Sequence, residues 1–229
     1  MRKKAFITGI SGQDGSYLAE YLMGEGYSVF GTIRRNSTVE SQRTRIEKLK
    51  GIEIEYGDLT DYQSIAKQIS KIQPDEVYNL AAQSHVRISF DVPAFTLQSN
   101  GIGVLNVLEA VKENAPKARY YQASSSEMFG SSVDDDGFQR ETTRMLPVSP
   151  YGCAKLMAFH LTRLYRASYN LHCCNGILFN HESPRRGSNF VTNKVIKTAV
   201  EIKLGKKDCL ELGNLDSKRD WGHSKDYVR

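Results

Sequence analysis

The chain has 229 residues, 40% hydrophobic and 25% charged, with 31 basic against 26 acidic residues and a net charge of +5. This ordinary globular composition is large enough for one good core. The mild positive excess suits anionic small ligands such as dinucleotides and equally a plain basic surface. Without a long Lys/Arg block it argues against nucleic-acid binding. The cysteines stand at 153, 173, 174 and 209. The adjacent pair is unsuited to a normal bridge and no pair has metal-ligand spacing, so no metal site is expected and a reducing, cytoplasmic setting fits best. The start is a short apolar run into glycines, a first strand and not a signal peptide. No stretch has the length of a membrane span, so no membrane partner is expected.

Lys4–Thr8 reads as a buried strand that runs into Gly9, Ile10, Ser11, Gly12, Gln13, Asp14 and Gly15, followed by the helical pattern SYLAEYLMGEG. GxxGxxG between strand and helix is a dinucleotide signature. Gly9 permits the tight turn, Gly12 lets backbone approach a pyrophosphate, and Gly15 lets helix pack on strand. The helix N-terminus then offers free N–H groups to phosphate. A second strand at residues 27–33 ends in Arg34-Arg35-Asn36-Ser37. An NAD site expects an acidic residue there; two arginines and a hydroxyl suit a 2′-phosphate, so the expected cofactor is NADP. Residues 38–50 are polar and partly helical. Residues 52–56 form a third strand ending in Gly57, Asp58 and Leu59. Asp58 either faces the adenine or caps the next helix, which begins near Asp61 and covers 63–72 before Pro74. The fourth strand, 76–80, exits through Leu80, Ala81, Ala82, Gln83, Ser84 and His85, where small residues leave room for a cofactor. His85 falls near the open end of the sheet, with a structural role equally open.

Residues 100–112 form an amphipathic helix whose glycines, 101 and 103, allow close contact at its start. The fifth strand, 119–123, delivers Ser124, Ser125, Ser126 and Glu127. Strand and helix alternate five times, which predicts an α/β, Rossmann-like, doubly wound and mainly parallel sheet with ligands at the carboxyl ends of the strands. Residues 131–145 are a polar loop over the site, and Pro147 and Pro150 bracket the approach to a helix containing Tyr151 and Lys155. Four residues apart, these lie on one helical face. Such a lysine lowers the phenol's pKa and can hold a ribose hydroxyl, and such a tyrosine can exchange a proton with an alcohol during hydride transfer. A sixth strand is expected at 173–178. Residues 180–187 are polar and turn-rich, with Arg185 and Arg186 in no pattern that would bury them. A helix at 190–203 carries Lys194 and Lys197, and a short strand is expected at 210–212. Arg185, Arg186, Lys194 and Arg219 fit a substrate with its own diphosphate or an ordinary solvated surface. The chain ends at the start of a helix with no closing element, so truncation is expected. Residues 1–178 read as the NADP-binding domain. Residues 179–229 read as the start of an incomplete substrate-binding lobe, interleaved with it.

The sequence resembles the GDP-mannose 4,6-dehydratases of the extended short-chain dehydrogenase/reductase superfamily. The likeness rests on GISGQDGSYLAE, the arginines 34–35, YGDLTD, PDEVYNLAAQSHV, YQASSSEMFG, SPYGCAKL, NGILFNHESPRRG, FVTNK and LGNLDSKRDWGHSKDYV, nearly the whole chain. The resemblance implies an NADP-dependent lyase that converts GDP-mannose, or a related nucleotide sugar, to a 4-keto-6-deoxy product. It implies catalytic roles for Ser125, Glu127, Tyr151 and Lys155, with Tyr151 exchanging the C4 hydroxyl proton and Glu127 as base at C5. It implies cofactor contacts from Gly12, Gln13, Asp14, Arg34, Arg35, Asp58 and Leu59, and substrate contacts from Ser84, Asn180, Glu182, Arg186, Lys194 and Arg219. It also implies a homo-oligomer, tetramer or dimer, through the segment after Arg34. Departures from the family pattern are Ser125 for a usual threonine, Val148 and Asn193 for usual arginines, and Asn100 for a usual aspartate. Alternatives are another nucleotide-sugar dehydratase, a 4-reductase or a bifunctional enzyme of the superfamily, and, more remotely, a non-catalytic NADP-binding protein.

Overall fold

The structure, a computed structural model, describes residues 2–35, 45–47, 49–216 and 218–229. Six strands, β1 (Lys4–Thr8), β2 (Ser28–Ile33), β3 (Glu53–Tyr56), β4 (Glu76–Asn79), β5 (Arg119–Ser125) and β6 (Cys173–Leu178), form one sheet. Their order is β3-β2-β1-β4-β5-β6, and every pairing is parallel. Thr8 lies opposite Thr32 on one side and Asn79 on the other.

Side-chain alternation along β1 explains the layers. Ala5 and Ile7 pack on Leu18, Ala19 and Leu22 of α1 (Gln13–Gly24). Phe6 faces the opposite way, onto Ile65 and Ile69 of α2 (Tyr62–Ile72) and Val107, Leu108 and Val111 of the helix Gly103–Asn114. A period of two with both faces covered is what a buried parallel sheet requires. Each such side chain, fully buried, contributes roughly 1.5–3 kcal/mol. The chain order reverses between β1 and β4, so their carboxyl ends diverge and leave a crevice, the place where open α/β sheets bind ligands. Asp61 caps α2 by accepting from Ser64 N at 3.3 Å, and the helix ends at Gln73 with φ 50° just before Pro74.

Several elements differ from the sequence reading. A short helix, α3 (Val86–Asp91), follows β4. The helix expected at 100–112 starts earlier: α4 (Pro93–Leu97) runs through a π turn at Gln98–Ile102 into α5 (Gly103–Asn114). Glycine disfavours a helix interior, which moved the expected boundary. Packing overrides that preference, since a Cβ on Gly101 would lie 2.8 Å from Met157 Sδ, and one on Gly103 2.7 Å from Leu59 Cβ. Residues 45–47 form a turn; most of the segment 38–50 expected to be partly helical, residues 38–44, lies outside the described residues. Residues 210–212 are not a strand, and Leu212 is 39% exposed. Instead β7 (Asn180–Glu182) pairs in parallel with β8 (Trp221–His223). The remaining helices are α6 (Pro150–Tyr169), α7 (Val191–Lys203) and α8 (Ser224–Tyr227). No helix among the described residues is long and apolar enough to cross a membrane.

Candidate active site

The turn from β1 into α1 is built by its glycines. Gly9 has φ +69°, and a Cβ there would lie 2.8 Å from Ala81 N. A Cβ on Gly15 would collide with the Gly9 carbonyl. Gly12 closes the turn by donating to Gly9 O at 2.9 Å and stands just before α1. The result is a cleft of about 370 Å³ at the carboxyl ends of the central strands, within the range of small-ligand sites. Gly9, Gly12, Gln13, Asp14 and Gly15 form one wall. Leu80, Ala81, Ala82 and Ser84 form another, held in place where Thr8 Oγ1 accepts from Leu80 N and Ala81 N, each at 3.1 Å.

The far end of this cleft holds Arg34, Asp58 and Leu59. The Arg34 guanidinium lies 5.3 Å from the centre of the Phe95 ring, which also lines the cleft. Arg35 is exposed and lies off the cleft wall. The two roles left open for Asp58 separate here. Its carboxylate accepts from Thr60 N at 2.9 Å and Thr60 Oγ1 at 2.8 Å beside the cleft, while Asp61 caps α2.

A second cleft, of about 520 Å³, shares Asp14, Leu80, Ala82, Ser84, Ala123 and Arg186 with the first. Ser125, Glu127, Tyr151 and Lys155 meet in it. Ser125 ends β5 and accepts from Glu127 N at 3.2 Å, which winds Ser126–Met128 into a 3₁₀ turn. Ser149 caps α6 by accepting from Gly152 N at 3.0 Å, with Pro150 at the first helical position. Tyr151 N donates to Ser89 Oγ at 3.2 Å. Gly152 lets the two pieces touch, since a Cβ on it would lie 2.7 Å from the Glu127 carbonyl oxygen.

Burial dominates the electrostatics. It pushes the Tyr151 phenol up to about 12, opposed by its hydrogen bond with Ser125; the Glu127 charge adds to the rise and Arg186 opposes it. Burial also pushes the Lys155 amine down to about 8. Lys155 Nζ donates to Ala123 O at 2.8 Å and lies 5.7 Å from the Tyr151 ring centre. The expected lowering of the Tyr151 pKa by Lys155 is therefore not found in this geometry.

Basic side chains border the second cleft. Arg186 lines both clefts, its guanidinium 3.7 Å from the Phe190 ring centre and its Nε 3.5 Å from Glu182 Oε2. Arg185 reaches α1, donating to Ser16 Oγ at 3.0 Å, pairing with Glu20 and lying 3.9 Å from the Tyr17 ring centre. Both side chains are more than three-quarters buried, at 24% and 21% exposure, although the local sequence holds no pattern that would bury them. Their covering aromatics lie elsewhere in the chain or beyond the turn.

Comparison with known proteins locates this arrangement. The family model described as GDP-mannose 4,6 dehydratase matches residues 6–229. The chain belongs to the GDP-mannose 4,6-dehydratase family. A GDP-mannose 4,6-dehydratase of Yersinia enterocolitica is 52% identical over 235 residues, covering 99% of this chain and 63% of that relative. A GDP-mannose 4,6 dehydratase of Homo sapiens is 50% identical over 238 residues with the same coverages. The chain thus spans less than two thirds of the length of these relatives. Among solved structures, UDP-glucose 4-epimerase of Thermus thermophilus superposes with a TM-score of 0.84 at 24% identity, over 98% of this chain and 72% of that one, a likeness of fold. RMD from Pseudomonas aeruginosa, complexed with NADPH, gives 0.80 at 25% identity over 99% and 71%.

Within this family member, most residues singled out from sequence line one cleft or the other, including Asn180 and Arg219 in the second. Arg35, Glu182, Arg185 and Lys194 lie off both walls. Lys194 is exposed and donates to the Glu211 carbonyl at 2.6 Å, and Glu182 is engaged by Thr192 and Arg186. Residues 36–44, where the subunit contact was expected, lie outside the described residues. Sequence reasoning missed Ser89, Gly152 and His181. Their roles depend on partners 62, 25 and 167 positions away, and no local pattern signals such pairs. Among the described residues no group of His, Cys, Asp and Glu could hold a metal ion.

Proposed function

We propose that the full-length protein removes water from GDP-mannose to give GDP-4-keto-6-deoxy-mannose, with NADP as its resident cofactor. The observation that supports this most directly is the meeting of Ser125, Glu127, Tyr151 and Lys155 in a cleft that shares a wall with a glycine-built dinucleotide cleft. The first cleft fits a dinucleotide because Gly9 and Gly15, where a Cβ would strike backbone, allow the tight turn that lines it, and α1 begins there. Arg34 at its far end favours a 2′-phosphate over a bare hydroxyl. The NADPH in the RMD structure and the names of the close relatives point the same way.

When bound, the nicotinamide would supply a hydride carrier, taking hydride from C4 of the sugar and returning it to C6. The protein supplies the proton transfers and the positioning. Tyr151 Oη takes the proton of the C4 hydroxyl and later gives it to C5 as C6 is reduced, with Ser125 hydrogen-bonded to the oxygen at C4. A phenol near 12 must be brought down for that role, and the hydrogen bond with Ser125 and the guanidinium of Arg186 act in that direction. Once C4 is a ketone its C5 proton is acidic. Glu127 takes that proton and passes it to the C6 hydroxyl, which leaves as water. Arg186 and Arg219 hold the diphosphate. A homo-oligomer, tetramer or dimer, and a cytoplasmic setting belong to the same reading, the latter supported by four unpaired cysteines.

The test is incubation of the full-length protein with GDP-mannose and catalytic NADP+, with the nucleotide sugar identified by mass. Loss of one water without net NADPH supports the reading. No loss of water overturns it, and undiminished dehydration by Glu127→Gln overturns the assignment of the base.

A further inference from the structure

The first turn of α1 is tied to the wall of the second cleft by three consecutive polar contacts. Gln13 Nε2 donates to His181 O at 2.9 Å, Ser183 Oγ donates to Gln13 Oε1 at 2.7 Å, and His181 Nδ1 lies 2.9 Å from Asp14 Oδ2. Asp14 is an acidic residue in the helix turn that a phosphate would face, where a free negative charge is unfavourable to an anion. Its carboxyl is raised by burial but held below the usual range by His181. It is therefore an ionised acceptor, and Nδ1 of His181 carries the hydrogen.

The histidine is held rigidly for this contact. It is 6% exposed and stacked on Tyr227, ring centres 4.0 Å apart and planes 6° apart. Gly222 leaves room for Tyr227, since a Cβ there would collide with the Tyr227 hydroxyl. The residues joined in this way belong to different clefts. Gln13 lines the first, Asn180 and His181 line the second, and Asp14 and Arg186 line both.

On the proposed function given above, we infer that Asp14 and His181 are a positioning pair that couples the two clefts, so that a dinucleotide in the first tightens binding of a nucleoside diphosphate in the second, and the reverse. A dinucleotide at the α1 N-terminus fixes the turn carrying Gln13 and Asp14, and through His181 it fixes β7 and the turn to Arg186. The second ligand then meets a wall already ordered and loses less conformational freedom. Reciprocity follows from linkage. Asp14, expected from sequence to touch the cofactor, acts here through the wall it shares.

The experiment measures the Kd of NADPH by fluorescence in the full-length protein, with and without saturating GDP. In the wild type GDP tightens NADPH by roughly fivefold or more. His181→Phe keeps an aromatic ring for the stack on Tyr227 but cannot bond Asp14, and its GDP effect falls to within twofold of none. His181→Asn places an amide donor near the position of Nδ1 and retains most of the effect. Asp14→Ala, on a side chain 27% exposed, removes the pair from the other end and gives the same loss if His181→Phe does not fold. A wild type that binds both ligands independently overturns the inference and leaves the proposed function standing, as does full coupling in His181→Phe or Asp14→Ala. Loss of coupling in His181→Asn equal to that in His181→Phe, at unchanged melting temperature, also overturns it. A wild type that binds neither ligand overturns the proposed function and this inference together.

Discussion

Lys155→Met is expected to stabilise the protein while removing its proposed activity. The lysine is 4% exposed, and burial moves its amine from the ordinary 10.5 down to about 8. At 1.36 kcal/mol per unit, a shift of roughly 2.5 units is a cost of roughly 3 kcal/mol for holding the ammonium at pH 7. Against this, the variant loses the hydrogen bond to Ala123 O, and a charged hydrogen bond contributes about 1.5–3 kcal/mol. The loss falls at the low end, because that carbonyl keeps a second donor, Gln122 Nε2 at 3.0 Å, and is not orphaned. The net gain is about 1 kcal/mol, or about 2–4 °C in melting temperature for a chain of this size. The pH window follows from the direction of the shift. Between pH 8 and 10.5 the unfolded chain holds a proton on Lys155 that the folded chain has released, so wild-type stability rises with pH relative to the variant. Urea unfolding of both proteins across pH 7 to 10.5 reads this directly. A variant less stable at pH 7, or a difference that does not change with pH, refutes the reasoning.

Gly152→Ala is expected to lower kcat at least tenfold while costing only about 1 kcal/mol of stability. Alanine gains helix propensity but sets a Cβ 2.7 Å from the Glu127 carbonyl and 2.9 Å from Pro147 Cβ, so the turn carrying Glu127 must move; steady-state rates beside a thermal melt check it, and an unchanged kcat refutes it. Arg34→Ala is expected to weaken NADP+ roughly 10- to 100-fold with little effect on NAD+, since a charge-assisted bond to the 2′-phosphate is the only term removed. Arg35→Ala, exposed and off the cleft wall, is expected to do less. Calorimetric titration with both dinucleotides separates these outcomes, and an equal loss for NAD+ and NADP+ counts against the 2′-phosphate role.

Legibility in the sequence followed distance along the chain. The six strands were readable within one or two residues at most ends because buried parallel strands are short apolar runs bounded by turns, and the glycine loop was readable because each glycine answers to a local need. The Tyr151 and Lys155 pair was readable because helical spacing alone sets it on one face. What failed was set by packing at long range. Leu210 and Leu212 suggested a strand, but β7 took Trp221–His223 as its partner, 41 residues away. Arg185 showed no local pattern for burial because Tyr17 and Glu20, which cover it, stand on α1. The glycines at 101 and 103 suggested a helix start, whereas they mark close contacts within a longer helical run.

The same distinction sharpens the chemistry. The helix period puts a lysine next to a tyrosine, and that neighbourhood suggests a lowered phenol. The fold adds what the period omits: burial of both groups and a backbone carbonyl, Ala123 O, that takes the ammonium. Desolvation disfavours the charged form of each, so it raises the phenol from 10.0 to about 12 and lowers the amine from 10.5 to about 8, moving their values apart. Separated in this way, the phenol keeps its proton and does not pass it to the amine. The site therefore rests with a protonated phenol rather than a standing phenolate. The groups that tip it are those facing the phenol: Ser125 and Arg186, which favour its ionised form, and Glu127, which opposes it.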